Sequence, residues 1–297
     1  MNSVNKPIFT VDEHSDGQRL DNFLRKQRKQ ISTGQLYKLI RKGQVRVNGK
    51  RCQPATKLQK NDQVRVPPFM YFEETRAQPV IAPESMDRLL AAVIAEDDNY
   101  LVINKPAGLP VHTGTGHAVG VIEILQQHAD YRHLLLAHRL DVVTSGCLVL
   151  AKNRQALLNF QAFLKARAVS KTYVALLQGV LSETVTVQQK LAEQRINGIK
   201  TAVIADSGKV AETHFKPQAV RAGYSRVECA PVTGRTHQIR AHAAFLNCPI
   251  IGDVQYGASH RPDLNRAVYL HAWQISFEDH HFVAPIPDEF ERLWQSL

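Results

Sequence analysis

The sequence predicts an α+β chain of two domains: a large one on a mixed, mostly antiparallel sheet with flanking helices, preceded by a small helix–helix–hairpin domain. Three observations predict it. Short apolar, strand-like runs alternate with single helical patterns rather than with long bundles of helices. A stretch carrying Pro67, Pro68, Pro79 and Pro83 lacks any periodicity and divides the chain. Charge divides it at the same place: residues 19–65 hold fourteen Lys or Arg against Asp21 and Asp62, or +12, so the rest of a chain of net +10 sums to about −2. These breaks set an arm over 1–16, a small domain over 17–66, a linker over 67–87 and a large domain over 88–297.

Helical spacing begins near Gly17, with Leu20, Phe23 and Leu24 on one stripe and Arg25, Lys26, Arg28 and Lys29 crowding the end. Cations suit a helix C-terminus, so part of the basic cluster has a plain stability explanation. A second helix opens at Ser32 with Gln35 as its capping partner, buries Leu36, Leu39 and Ile40, and stops at Gly43. Lys38, Arg41 and Lys42 lie off its apolar stripe. Val45-Arg46-Val47 then runs into Asn48-Gly49, a strong two-residue turn signal, with Lys50 and Arg51 just beyond, and Val64-Arg65-Val66 supplies a further strand.

In the large domain Val93-Ile94, a turn at Asp97-Asp98-Asn99 and Tyr100–Ile103 read as a hairpin, after which Lys105-Pro106-Ala107-Gly108 turns the chain. Gly114, Gly116 and Gly120 follow, but in neither of the spacings that cradle a nucleotide cofactor. Helices are predicted over 121–127, 155–165 and from the 234–240 stretch to Phe245, with strands at 172–177, 211–215, 224–229 and 267–271. The polar stretch 181–207 shows turns at Asn197-Gly198 and Ser207-Gly208 and little else.

Composition excludes several classes. The longest apolar run, Leu89–Ala95, is far shorter than the roughly 20 residues of a membrane span, and the N-terminus lacks an apolar signal segment. Cys52, Cys147, Cys229 and Cys248 are scattered and the thirteen His show no ligand spacing, so no disulfide framework or metal is expected. The expectation is a cytoplasmic monomer with no small-molecule cofactor and no membrane. Its block of positive charge could be a solvated face or a protein-docking surface, but in so compact a segment it is better read as the footprint of a polyanion.

The most informative stretch is His138-Arg139-Leu140-Asp141-Val142-Val143-Thr144-Ser145-Gly146. It lies between Leu134–Ala137 and Cys147–Ala151, two runs that belong in a core. An imidazole, a guanidinium and a carboxylate there need paired partners or a cleft that opens on a ligand, because an unpaired buried charge is costly. No second carboxylate lies nearby, so the paired-acid chemistry of ordinary glycosidases is not visible. On the residues alone, this is either a polar inter-strand loop or an active-site loop centred on Asp141.

HRLDVVTSG resembles the signature loop of the RluA-type RNA pseudouridine synthases. Asn104-Lys105-Pro106-Ala107-Gly108, Lys171-Thr172-Tyr173 and Gly234-Arg235-Thr236-His237-Gln238-Ile239-Arg240 match further motifs of that family in its order. Val142-Val143 departs from the polar residues more usual there. The basic N-terminal segment resembles the small RNA-binding domain named after ribosomal protein S-four. RKGQVRVNGKR is most similar to the RluC-like branch, whose substrate is large-subunit ribosomal RNA.

The resemblance implies an isomerase that detaches uracil from ribose at nitrogen 1, turns it and rejoins it through carbon 5. Asp141 is then the catalytic carboxylate, attacking sugar or base or assisting an elimination; the sequence leaves these open. Such a carboxylate must stay ionised in a site that excludes water, and the resemblance assigns the supporting cation to Arg235. Tyr173 is expected to pack on the uracil and help move the carbon 5 proton, and Arg139 to fill the gap left by the extruded nucleotide. His138 is expected to be structural. RNA contacts are expected from Arg139, Lys105, Lys38, Arg41, Lys42, Arg46, Lys50 and Arg51. The competing readings are a glycosylase-type hydrolase using the same Asp and an RNA-binding protein without catalysis.

Overall fold

The computed structural model describes residues 8–27, 31–70, 82–113, 119–196, 198–261, 264 and 268–297. The expectations resting on residues 1–7, Arg28, Lys29, Tyr71–Ile81, Gly114, Gly116 and Asn197 lie outside these. The chain divides into two compact units, Met1–Val80 and Ile81–Leu297.

In the first unit, β1 (Ile8–Thr10) and β2 (Arg46–Val47) flank β3 (Gln63–Arg65), and α1 (Leu20–Gln27) and α2 (Thr33–Arg41) bury Leu20, Phe23, Leu24, Leu36, Leu39 and Ile40. The Ser32 hydroxyl accepts the Gln35 amide at 3.2 Å, and α2 ends as expected at Gly43, whose φ of +69° suits glycine. Asn48 and Gly49, at φ +48° and +75°, make the tight turn, closed by paired bonds between Val47 and Lys50. β2 nevertheless finds its antiparallel partner in β3, with Val47 opposite Val64, rather than in the chain just past the turn.

The second unit opens with α3 (Pro83–Ala91), which begins inside the stretch expected to be linker. Pro83 occupies the first helical turn, where its missing N–H costs nothing, so the proline read as a breaker is a helix start. β4 (Val93–Glu96) and β5 (Tyr100–Lys105) form the expected hairpin, and α4 (Val121–Leu125), β6 (Leu135–Leu136) and β7 (Ser145–Ala151) follow. Then come α5 (Arg154–Lys165), β8 (Ser170–Gln178), β9 (Val185–Ile196), β10 (Ile199–Ile204), β11 (Lys209–Arg221), β12 (Tyr224–Pro231), α6 (Gln238–Phe245), β13 (Leu270–Phe277), β14 (His280–Val283) and α7 (Asp288–Ser296).

These strands join one sheet in the order β10-β9-β11-β12-β8-β13-β7-β5-β4, with β14 beside β13 and β6 beside β7. Only the β13–β7 pair is parallel among those described, so the sheet is mixed and mostly antiparallel as expected. β7 is buried along its whole length, which explains its unbroken apolar run. The long β9–β10 hairpin occupies the stretch that sequence alone left blank. Its β9 half buries only Val187 and Leu191, so most of its side chains remain polar and the period-2 signal is faint.

Candidate active site

The loop between β6 and β7 is clamped on every side. Val149 donates its N–H to His138 Nε2 at 3.1 Å, and the ring stacks on Phe160 at 5.7 Å, so His138 is a structural pin as expected. Burial, followed by the nearby Lys171 charge, pushes its pKa down to about 3, and a neutral ring is what accepting an N–H requires. The Thr144 amide turns back onto the Asp141 carbonyl at 3.1 Å, and the Gly108 amide holds the Val142 carbonyl at 2.8 Å. Behind the loop, Ser145 Oγ and His271 Nδ1 lie 2.8 Å apart, buried, tying β7 to β13. Gly146 sits at φ +112°, and a Cβ there would come 2.2 Å from the Ala272 carbonyl oxygen, so only glycine allows the two strands to approach.

Lys105 does not face solvent. It is fully buried, and its ammonium donates to the carbonyls of Pro106 at 2.7 Å, Leu109 at 2.8 Å and Val142 at 3.3 Å. All three ammonium hydrogens are spent under the Asp141 loop, which removes Lys105 from the expected phosphate contacts. Burial pulls its pKa down to about 7, against the pull of the Asp141 charge.

The opposite wall is α6. Its first residue, Gln238, is a buried hub: Nε2 donates to the Glu212 carbonyl at 2.8 Å and to Thr213 Oγ1 at 2.9 Å, while Oε1 accepts from the Thr233 hydroxyl and the Arg235 amide. Arg235 itself is exposed and turns its Nε to the Val210 carbonyl at 3.2 Å. The cation that reaches Asp141 is Arg240, with Nη1 4.0 Å from Asp141 Oδ2. Arg240 replaces Arg235 as the candidate partner. The reason is helical: Gln238 fixes the loop so that Arg235 precedes the helix, whereas Arg240 lies inside it, facing the cleft.

Arg240 is 5% exposed and held by a two-pronged pair with Asp253, at 2.7 and 2.8 Å, and by Gln255 Oε1 at 2.9 Å. Its guanidinium also lies over the Tyr256 ring, 4.8 Å from the centroid. Burial works against its charge, but Asp253, then Asp141, keeps its pKa above the ordinary value, so it is a permanent cation. Tyr256 accepts the Ala202 N–H at 2.8 Å, and its own proton is left for His237 Nδ1 at 2.9 Å. That leaves His237 as a neutral Nε2–H ring, consistent with a pKa lowered by burial.

Asp141, Arg139, Tyr173, Lys171, Arg235 and Arg240 line one cleft of about 510 Å³, a volume that suits a nucleotide-sized ligand. Asp141 is 22% exposed and thus reachable. Tyr173 comes in from β8, its phenol pKa raised by burial and then by the Asp141 charge, so it stays protonated. Arg139 is exposed at the rim, accompanied by Lys165 and Arg167 from the end of α5, two cations that the motif reading missed. The motif reading also missed Arg240, Asp253, Gln255 and Tyr256. The signal for Arg240 was present, because an arginine flanked by Ile239 and Ala241 on an apolar helix must be buried and paired.

In the first unit, Lys38, Arg41, Lys42, Lys50 and Arg51 are exposed and form no ion pair among the described residues. Arg46 is half-buried and donates to the Gly43 carbonyl at 3.4 Å and the Gly49 carbonyl at 3.1 Å, bracing the turn.

Residues 99–245 match the family model for RNA pseudouridylate synthase, and residues 18–64 match that for the S4 domain. The ribosomal large subunit pseudouridine synthase C of Escherichia coli O157:H7 is 38% identical over 99% of this chain and 97% of its own. Its namesake from Salmonella typhi is 42% identical over 84% of this chain and 79% of its own. Among solved structures, human RNA pseudouridylate synthase domain containing 4 superposes with a TM-score of 0.61 at 26% identity, covering 71% of this chain and 95% of that one.

Proposed function

The chain belongs to the RNA pseudouridine synthase family and is an isomerase of RNA uridines, and on that footing we propose that its substrate is large-subunit ribosomal RNA, with Asp141 as the essential carboxylate. One observation carries the site assignment: a reachable carboxylate, a permanently charged arginine and a protonated tyrosine converge in one cleft. The substrate assignment rests on the likeness to two bacterial large-subunit enzymes, near full length for the one from Escherichia coli O157:H7. A monomer working in the cytoplasm, with residues 17–66 guiding RNA to a catalytic domain over 88–297, belongs to the same proposal.

The residues divide the work simply. Asp141 attacks sugar or base, or assists elimination, as N1 leaves C1′; Arg240 places a fixed positive charge 4.0 Å from its Oδ2. Tyr173 packs on the uracil, close to where the carbon 5 proton must move, and burial and the Asp141 charge keep its phenol protonated before substrate binds. The reaction is redox-neutral and needs no energy input. Pseudouridine mapping of ribosomal RNA from cells with and without the protein tests the proposal. Loss of particular large-subunit sites supports it; an identical map overturns it, and a missing base in place of an isomerised one would mark a hydrolase.

Arg139, at the rim, is proposed to stack into the space of the extruded nucleotide. Arg139→Ala is expected to slow turnover on a structured RNA by roughly tenfold more than on an unstructured oligonucleotide, since only the former must lose a stacked base. Equal losses would assign Arg139 another part.

The exposed face of α2 is proposed to contact phosphate. Replacing Lys38, Arg41 and Lys42 together by Gln is expected to flatten the slope of log affinity against log salt by about 2, at roughly 0.7 per lost contact on single-stranded RNA. Titration at several salt concentrations reads this directly, and an unchanged slope would turn that face away from RNA.

A further inference from the structure

Lys171 is a cation in the cleft to which neither wall assigns a task. It stands on β8 two residues before Tyr173, so both side chains leave the same face of the sheet, with α-carbons about 7 Å apart. Both are half-buried and both line the cleft. Its ammonium forms no hydrogen bond or ion pair with any described residue. Its neighbour His138 is neutral and offers no counter-charge. Arg240, by contrast, already has the Asp253 carboxylate and Gln255 as hydrogen-bond partners and Asp141 nearby. A cation held partly out of water with no anion beside it is unfavourable, and the partner that repays it arrives with the substrate.

We propose that Lys171 binds a backbone phosphate of the target nucleotide while Tyr173, on the same strand face, packs against its base. The proposal rests on the uridine isomerisation described above and adds a requirement to it. During the reaction the uracil detaches and turns, whereas the ribose must stay where carbon 5 can find C1′. A charge on the phosphate holds the half of the nucleotide that does not move. The spacing suits this, because a pyrimidine and the phosphates of its own ribose are separated by about the distance between two alternate residues of a strand. Lys165 and Arg167 at the mouth of the cleft would meet the neighbouring phosphates and would not substitute for it.

The test is a cycle between enzyme variant and substrate. Three RNAs are compared in single turnover: one unmodified, one with a neutral methylphosphonate on the 5′ side of the target uridine, one with it on the 3′ side. Lys171→Met is expected to slow product formation on the unmodified RNA by roughly 10- to 100-fold, the range of a charge-assisted hydrogen bond. Wild type is expected to lose a similar factor on one of the two neutral RNAs, and that RNA identifies the phosphate. On that RNA the Lys171→Met variant is expected to lose no more, because the contact is already gone. Lys171→Arg is expected to keep most of the rate on unmodified RNA, and because Lys171→Met keeps an unbranched stem without the charge, the contrast between the two variants reports charge rather than packing. Losses that multiply on both neutral RNAs, or no loss in Lys171→Met on the unmodified one, overturn the proposal. A wild type that forms no pseudouridine on unmodified RNA would instead overturn the functional reading beneath it.

Discussion

Asp141→Asn is expected to leave no detectable pseudouridine while RNA binding is largely kept. The amide preserves size and can still pair with its neighbours, but it lacks the charge and the nucleophilic oxygen. Loss of a single activated group commonly costs roughly four to six powers of ten in turnover. The cleft offers no replacement. Asp253 is 1% exposed and locked onto Arg240 by both oxygens, and Glu193 is committed to Lys200 at 2.8 Å and to the Thr236 hydroxyl. The loop should survive the change, since its clamps run through His138, Val142, Thr144 and Ser145 rather than through the carboxylate. Single-turnover product formation, with binding measured in parallel, reads both halves. Substantial residual activity would sink the role given to Asp141.

The next largest effect is expected at Arg240 and not at Arg235. Arg240→Met removes the cation beside Asp141 and should cost roughly two to three powers of ten in turnover, the scale of losing one preorganised electrostatic partner. It also strands Asp253 in the core without a counter-ion, so a stability loss of about 3–5 kcal/mol should accompany it. Arg240→Lys separates the two effects. The ammonium keeps the charge but cannot grip Asp253 with two prongs and reach Gln255 as well, so folding should recover more than turnover does. Arg235→Ala loses an exposed bond to a carbonyl and should change turnover by less than about tenfold. Rates at saturating RNA, with melting curves for each variant, distinguish the two arginines. If Arg235→Ala were as damaging to turnover as Arg240→Met in a folded protein, the pairing described here would be wrong.

The difference between those arginines shows what sequence can and cannot convey. Four motifs in order point to Asp141, Tyr173, Arg139 and Arg235, and all four line the cleft. Which guanidinium reaches Asp141 depends on where α6 begins, and that is set by Gln238 bonding across to Glu212 and Thr213, a contact of 25 or 26 residues' separation. Lys105 failed for a related reason. A lysine beside a proline in a turn reads as exposed, yet three carbonyls supplied by the folded loop take it inward. The basic helix α2 was legible because its apolar stripe, its Ser32 cap and its Gly43 stop are all local. The β9–β10 hairpin was not, because its few buried positions acquire meaning only from the strands beside it.

The place of β13 in the sheet has a consequence for the timing of assembly. β7, reached from the Asp141 loop, and β8, which carries Tyr173, share no ladder; β13 lies between them. The blocks β4–β5–β7 and β8–β12 can each close through antiparallel neighbours as the chain emerges from the ribosome. Their union waits for residues 270–277, and the buried bond from Ser145 to His271 spans 126 residues. Contacts so distant along the chain form late and slowly. A nascent polypeptide that already holds Asp141, Tyr173 and Arg240 is therefore expected to be inactive until its two walls meet. Competence arrives in one step, with the docking of a strand that contributes no reactive group of its own.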